Sequence, residues 1–158
     1  MEKDIKDIMP GEGLGVIKFG MTQEAVSAIL GPPTEKEVIT DSEFPDENSE
    51  AWHYDELEVS LGFEDMEGWK LMNIALSSAE FTLHNRKLIG LEREKLMSVL
   101  DNLGLTEFLL EEAEVDGEQQ SLIRSNETGI NFFLDNGTLS EVMWSPIIDE
   151  EENFIFPN

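Results

Sequence analysis

Gly20-Met21-Thr22-Gln23-Glu24-Ala25-Val26-Ser27-Ala28-Ile29-Leu30-Gly31-Pro32-Pro33 is the stretch whose reading decides the fold. Thr22 is placed to cap a helix, since its hydroxyl can accept from a backbone N–H that has no helical partner. Glu24 then sits in the first turn, where the helix dipole favours negative charge. Val26, Ile29 and Leu30 share one helical face at i, i+3, i+4 spacing. Gly31 ends the helix, and Pro32-Pro33 prevents its restart. One short helix over roughly 22–30 follows from these signals.

Seventy positions later the chain reads Gly90-Leu91-Glu92-Arg93-Glu94-Lys95-Leu96, with Val99 and Leu100 beyond. Gly90 matches Gly20, Glu94 matches Glu24, and the apolar positions coincide. Extended segments follow both stretches. In the first half these are a weak strand at Glu37–Thr40, alternation at Trp52 and Tyr54, and alternation at Leu57, Val59, Leu61 and Phe63. Asp55-Glu56 reads as the tight turn between the last two, because the apolar phase changes there. Met72, Ile74 and Leu76 continue after Gly68. In the second half, strand signals cover 106–115 and 119–125, then Ile130, Phe132 and Leu134. Asp135-Asn136-Gly137 is a strong hairpin signal, because Asn-Gly suits a type I′ turn. The return strand ends at Val142 and Trp144.

The expectation is an α+β fold of two tandem helix-plus-antiparallel-meander repeats, forming one long sheet with helices on one face. The chain reads as a single domain over 1–158, with repeat one at about 12–78, repeat two at about 82–146 and a C-terminal tail at 147–158. With 158 residues, about 68–70% of the unfolded surface can be buried, enough for a core without disulfides.

The motif Gly20-Met21-Thr22, Gly31-Pro32-Pro33, Trp52, Tyr54, Val59, Leu61 and Phe63 resembles the repeat of the beta-lactamase inhibitor proteins and of the small lipoproteins of outer-membrane barrel assembly. Copy two keeps the glycine and the apolar pattern, but not Gly-Met-Thr or Gly-Pro-Pro. The resemblance implies a helix on an antiparallel sheet, and a protein-binding module whose concave sheet face grips another protein. The lipoprotein members carry an export signal and a lipidated cysteine, and this sequence has no cysteine.

Composition bounds the chemistry. There are 35 Asp and Glu against 10 Lys and Arg, a net charge of −25. Phosphate contacts need cations, so direct nucleic-acid binding is not expected. Without cysteine there is no disulfide, thiol nucleophile or Cys-ligated metal, and two histidines exclude a multi-His cluster within the chain. No cofactor or metal is expected. The acid-dense run Asp41–Asn48 lacks the spacing of a calcium loop and reads as solvated. No stretch approaches the about 20 apolar residues of a membrane span. The N-terminus lacks the pattern of a secretory signal, so the expected compartment is the cytoplasm.

No catalytic residue is nominated. The chain has no nucleophile elbow, no His-Glu-x-x-His and no Walker loop. Gly11-Glu12-Gly13-Leu14-Gly15 has the wrong spacing for a dinucleotide loop and reads as a flexible loop before a strand. His53, between Trp52 and Tyr54, reads as an exposed residue facing away from the core. Asn126-Glu127-Thr128 and Asn136-Gly137-Thr138 read as turns rather than glycosylation sites.

The sheet face opposite the helices is the place to look for function. Val59, Leu61, Ile74, Leu76, Phe132, Leu134, Val142 and Trp144 are expected to meet the helices. The other face then carries Glu58, Ser60, Asn73, Ala75, Asn131, Phe133, Glu141 and Met143. Phe133 and Met143 are either interface anchors ringed by acid or a seat for Phe154, Ile155 and Phe156 of the tail. Between Lys36 and Lys70 there is no basic residue. Glu43, Asp46, Glu47, Glu50, Asp55, Glu56, Glu58, Phe133, Glu141 and Met143 are therefore the expected partner-binding residues. The expected partner is a basic protein such as a toxin or nuclease, drawn in by complementary potential. The chain would be an inhibitor or immunity-type protein. The alternative is a structural or adaptor domain whose acidity only keeps it in solution, with self-association through Phe133, Met143 and the tail.

Overall fold

The computed structural model describes residues 6–40, 43, 48–65, 68–125, 128–148, 151 and 154–155. Strands β1 (Ile8–Met9), β2 (Gly13–Leu14) and β3 (Ile17–Lys18) precede helix α1 (Gln23–Leu30). Strands β4 (Glu35–Thr40), β5 (Asn48–Tyr54), β6 (Val59–Glu64) and β7 (Lys70–Leu76) follow. A small hairpin of β8 (Thr82–Leu83) and β9 (Arg86–Lys87) leads into α2 (Arg93–Asn102). Then come β10 (Phe108–Val115), β11 (Glu118–Ser125), β12 (Asn131–Asp135) and β13 (Thr138–Trp144). β14 (Ile147–Ile148) and β15 (Phe154–Ile155) close the chain as a two-stranded pair.

Eight strands form one antiparallel sheet in the order β10-β11-β12-β13-β7-β6-β5-β4. Strands dominate the two short helices, and the fold is α+β. The two meanders meet through their last strands, with Val142 opposite Leu76 and Trp144 opposite Ile74. All eight residues expected to meet the helices are buried. They share one cluster with Val26 and Leu30 of α1 and Leu96, Val99 and Leu100 of α2. Period-2 alternation on the strands and 3.6-residue periodicity on the helices therefore converge on the same core, where full burial of each large apolar side chain is worth about 1.5–3 kcal/mol.

The helix ends follow their local chemistry. Thr22 Oγ1 accepts from the Ala25 N–H at 3.1 Å, and Gly31 adopts φ +80° while its N–H donates to the Ser27 carbonyl. In α2, Glu92 occupies the cap position without a side-chain hydrogen bond. The last strand of each meander clasps the chain ahead of its helix. Gly20 N–H donates to Leu71 O and Leu71 N–H to Met21 O, while Gly90 N–H donates to Leu139 O and Leu139 N–H to Leu91 O. The register also slips at Met72, between the pairs Gly62–Asn73 and Phe63–Leu71, and at Ser140, between Phe133–Glu141 and Leu134–Leu139. The Asn136-Gly137 turn forms as expected, with φ of +51° and +85°. Asn136 also accepts from the Gln119 N–H through its side chain, tying that turn to β11.

Two local expectations are corrected, and one further element is found. The glycine-rich 11–15 segment is an ordered part of the three-stranded β1-β2-β3 sheet rather than a flexible loop. Gly13 is required there: its φ is +149°, and a Cβ would lie 2.0 Å from the Ile17 carbonyl oxygen. The turn after β5 runs over Asp55–Glu58, not Asp55-Glu56 alone, so Leu57 belongs to the turn and β6 begins at Val59. The connector after β7 carries the β8–β9 hairpin, with His84 and Asn85 both at positive φ in its turn.

Candidate functional site

The second face of the sheet is built by cross-strand rows. One row crosses all eight strands: Leu109, Arg124, Asn131, Met143, Ala75, Ser60, His53 and Glu35. The next places Glu111, Leu122, Phe133 and Glu141 side by side. The two halves of this face differ in bulk. The β5–β7 half is floored by Ala51, Ser60, Gly62, Asn73 and Ala75, whereas the β11–β13 half carries Leu122, Phe133 and Met143, all half-buried.

Small side chains leave a trough. A cavity of about 380 Å³ lies at the seam of the two meanders, lined by Asp55, Glu58, Ser60, Ala75, Ser77 and Glu141 among others. A second, of about 250 Å³, is lined by Ile39, Ser49, Ala51, Ser60, Gly62 and Asn73 among others. Ser60 borders both, so the two adjoin. Gly62 helps keep the floor low, because a Cβ there would press on Asn73 Cβ at 3.1 Å.

The seam cavity brings three carboxylates to one place. Burial, and secondly the nearby Asp135 charge, raise the Glu141 pKa above the usual carboxylate value. Among the described residues no cation is paired with Glu141. The linkage has a definite sign. A raised folded pKa means that the folded protein holds the proton longer, so stability falls as pH rises from the ordinary carboxylate value of 4.5 through the folded value. Glu141→Gln is therefore expected to be more stable than the parent at pH 7, the gain vanishing below about pH 4.5. Urea unfolding of both proteins across pH checks this, and a constant difference would contradict it.

The expected partner-binding residues separate into groups. Asp55, Glu58 and Glu141 converge on the seam cavity. Glu58 reaches it from the turn, at φ +55°, and not from a strand face as expected. Phe133 lies directly across from Glu141, and Met143 across from Ala75. Glu56 is exposed in the turn beside Asp55, and Glu43 is exposed. Glu50 borders the second cavity, and its carboxylate accepts from Trp52 Nε1 at 2.6 Å. Asp46 and Glu47 lie outside the described residues, as does Phe156 of the tail. Ile147, at the start of the tail, packs against Gly11.

Sequence reasoning missed Leu122, whose place beside Phe133 depends on the β11–β12 register. It also missed the engagement of His53, which is half-buried on this face. His53 Nδ1 is 2.8 Å from Ser60 Oγ, and Nε2 is 3.3 Å from Glu37 Oε2. The row has the residue types of a hydrolytic triad, but β6 is paired on both sides, so its backbone N–H groups serve the ladders and not an oxyanion. The row instead fixes the imidazole against the sheet beside the trough.

Among the described residues no group of three or more His, Asp or Glu is arranged to hold a metal ion. No helix among them is long and apolar enough to cross a membrane. No protein-family profile matches this chain, and no curated protein or solved structure shows significant similarity to it.

Proposed function

We propose that this protein is a non-enzymatic binding module, a cytoplasmic inhibitor or immunity-type protein that holds a basic protein, such as a toxin or nuclease, over the second face of its sheet. The carrying observation is the seam cavity, where Asp55, Glu58 and Glu141 surround a floor of small residues beside Phe133. An inserted Lys or Arg would offset the charge that burial makes costly at Glu141. Phe133, Leu122 and Met143 would supply apolar contact beside it, the arrangement of an anchor within a polar rim. The rest of the −25 charge would act at longer range, on the association rate.

The same reading takes the chain as two tandem copies of one helix-plus-meander unit, like the inhibitor proteins its motif resembles. It is supported by the matched hydrogen bonds of Gly20 with Leu71 and of Gly90 with Leu139, and by the matched register slips at Met72 and Ser140. Two copies joined edge to edge would create the seam.

The test begins with capture of the bound protein from cells of the source organism, followed by rate measurements on the purified pair. The partner is expected to be basic, and the association rate to fall about tenfold or more from low to high salt. Phe133→Ala is expected to speed dissociation, and the Glu58→Gln/Glu141→Gln pair to weaken binding about tenfold or more. A partner held equally well across salt and by all these variants would refute the proposal and leave the acidity a solubilising surface.

A further inference from the structure

We infer that the outer edge of β10 is a second docking surface, which takes an extended basic segment of a partner protein as a ninth strand of the sheet. β10 ends the strand order, and its free edge has no partner among the described residues. Sheet edges are usually blunted by shortness, charged side chains, Pro or a bulge, because an unpaired row of N–H and C=O groups templates another strand. β10 has only the charge, all of it negative, which guards against another acidic edge and not against a basic strand. It is eight residues long, its sequence Phe-Leu-Leu-Glu-Glu-Ala-Glu-Val holds neither Pro nor Lys, and its pairing with β11 runs without a slip from Phe108–Ser125 to Val115–Glu118. Leu109, Leu110 and Val115 are exposed by 53%, 45% and 45%. The opposite edge strand, β4, is shorter and carries Lys36, whose ammonium lies over the Trp52 ring at 4.7 Å.

Charge chooses the occupant. Residues 107–118 carry six acids and no base. Arg93 pairs with Glu112 at 2.7 Å and Arg124 with Glu111 at 3.5 Å, so the hairpin remains net negative. A second copy of this chain is thereby disfavoured. A two-fold β10–β10 pair would set Glu111 and Glu112 against Glu112 and Glu111, and like charges directly opposite destabilise a ladder. A partner strand with Lys or Arg opposite the glutamates and apolar residues opposite Leu109 and Leu110 satisfies both the backbone and the side chains. A shallow concavity lined by Glu112, Glu114 and Gln119 among others gives long cationic side chains room at the far end. The surface is distinct from the trough and does not depend on what binds there.

The test uses the full chain and a labelled octapeptide, Thr-Lys-Val-Lys-Lys-Val-Val-Thr, which in antiparallel register sets Lys opposite Glu111, Glu112 and Glu114. Fluorescence anisotropy is expected to show binding by about 1 mM peptide. Replacing the three Lys by Glu is expected to weaken it tenfold or more. N-methylation at alternate residues, made in both phases, is expected to abolish binding in the one phase that faces β10. Hydrogen exchange with bound peptide is expected to slow amides within 108–115 and to leave those of β4 and of the trough unchanged. Equal binding by both methylated phases, slowing at β4 or on the trough instead, or no binding by 1 mM would overturn the inference. So would a dimer in sedimentation whose β10 amides are protected without peptide.

Discussion

Trp144→Ala is expected to cost about 3–5 kcal/mol, the largest effect of any single truncation in this protein. Trp144 is fully buried on β13, opposite Ile74 where the two meanders join. Its indole N–H donates to the Gly13 carbonyl at 3.1 Å, linking the middle of the large sheet to the small N-terminal one. Truncation therefore opens a cavity, removes packing at the seam and leaves a buried carbonyl without its donor. Trp144→Phe keeps most of the volume and separates the terms, with a loss of about 1–3 kcal/mol from the orphaned carbonyl and imperfect filling. Urea unfolding followed by far-UV circular dichroism measures both. A loss below about 1 kcal/mol for Trp144→Ala would mean that the seam is not a structural centre.

Gly13→Ala is expected to cost about 3 kcal/mol, from the other side of the same contact. At φ +149° an L side chain is strained, and its Cβ would lie 2.0 Å from the Ile17 oxygen, which is backbone and cannot rotate away. The β2–β3 turn must open, and that moves the carbonyl that Trp144 uses. Gly31→Ala is the control. Gly31 also has positive φ, +80°, with ψ −170°, a region almost confined to glycine, but nothing lies within 4 Å of an added Cβ, so only the backbone strain is incurred, about 2 kcal/mol. If the two substitutions cost the same, steric crowding at Gly13 is not the reason for its glycine. Combining Gly13→Ala with Trp144→Phe is expected to cost less than the sum, because both act on one hydrogen bond.

Much of the local structure was legible because its causes are local. Thr22 and Gly31-Pro32-Pro33 bracket α1 by capping and by chain stiffness, which need no tertiary context. Asn136-Gly137 forms the expected hairpin because both residues tolerate positive φ. The faces of β6, β7, β12 and β13 follow from alternation, since a strand with one buried side has only one phase that buries its apolar set.

The candidate site was only partly legible. Glu141, Phe133 and Met143 could be assigned to one face from alternation alone. Glu58 could not, since the phase change between Tyr54 and Leu57 does not reveal a four-residue turn. Glu50 reads as one more solvated acid until Trp52 is seen to donate to it. Gly11–Gly15 reads as flexible because glycine permits flexibility, yet the carbonyl of Gly13 is held by a side chain 131 positions away.

The sequence by itself determined the two helices, the main strands of the large sheet, the buried faces of β6, β7, β12 and β13 and the acidity of the chain, because capping, alternation and net charge are properties of neighbouring residues and of composition. Only the tertiary structure decided that β7 pairs with β13, that Asp55, Glu58 and Glu141 meet at that join, and that β10 is left as a bare edge. Those outcomes rest on contacts between residues far apart in the chain, and strand order is set by which pairing buries the most apolar surface at once. No local pattern carries that information.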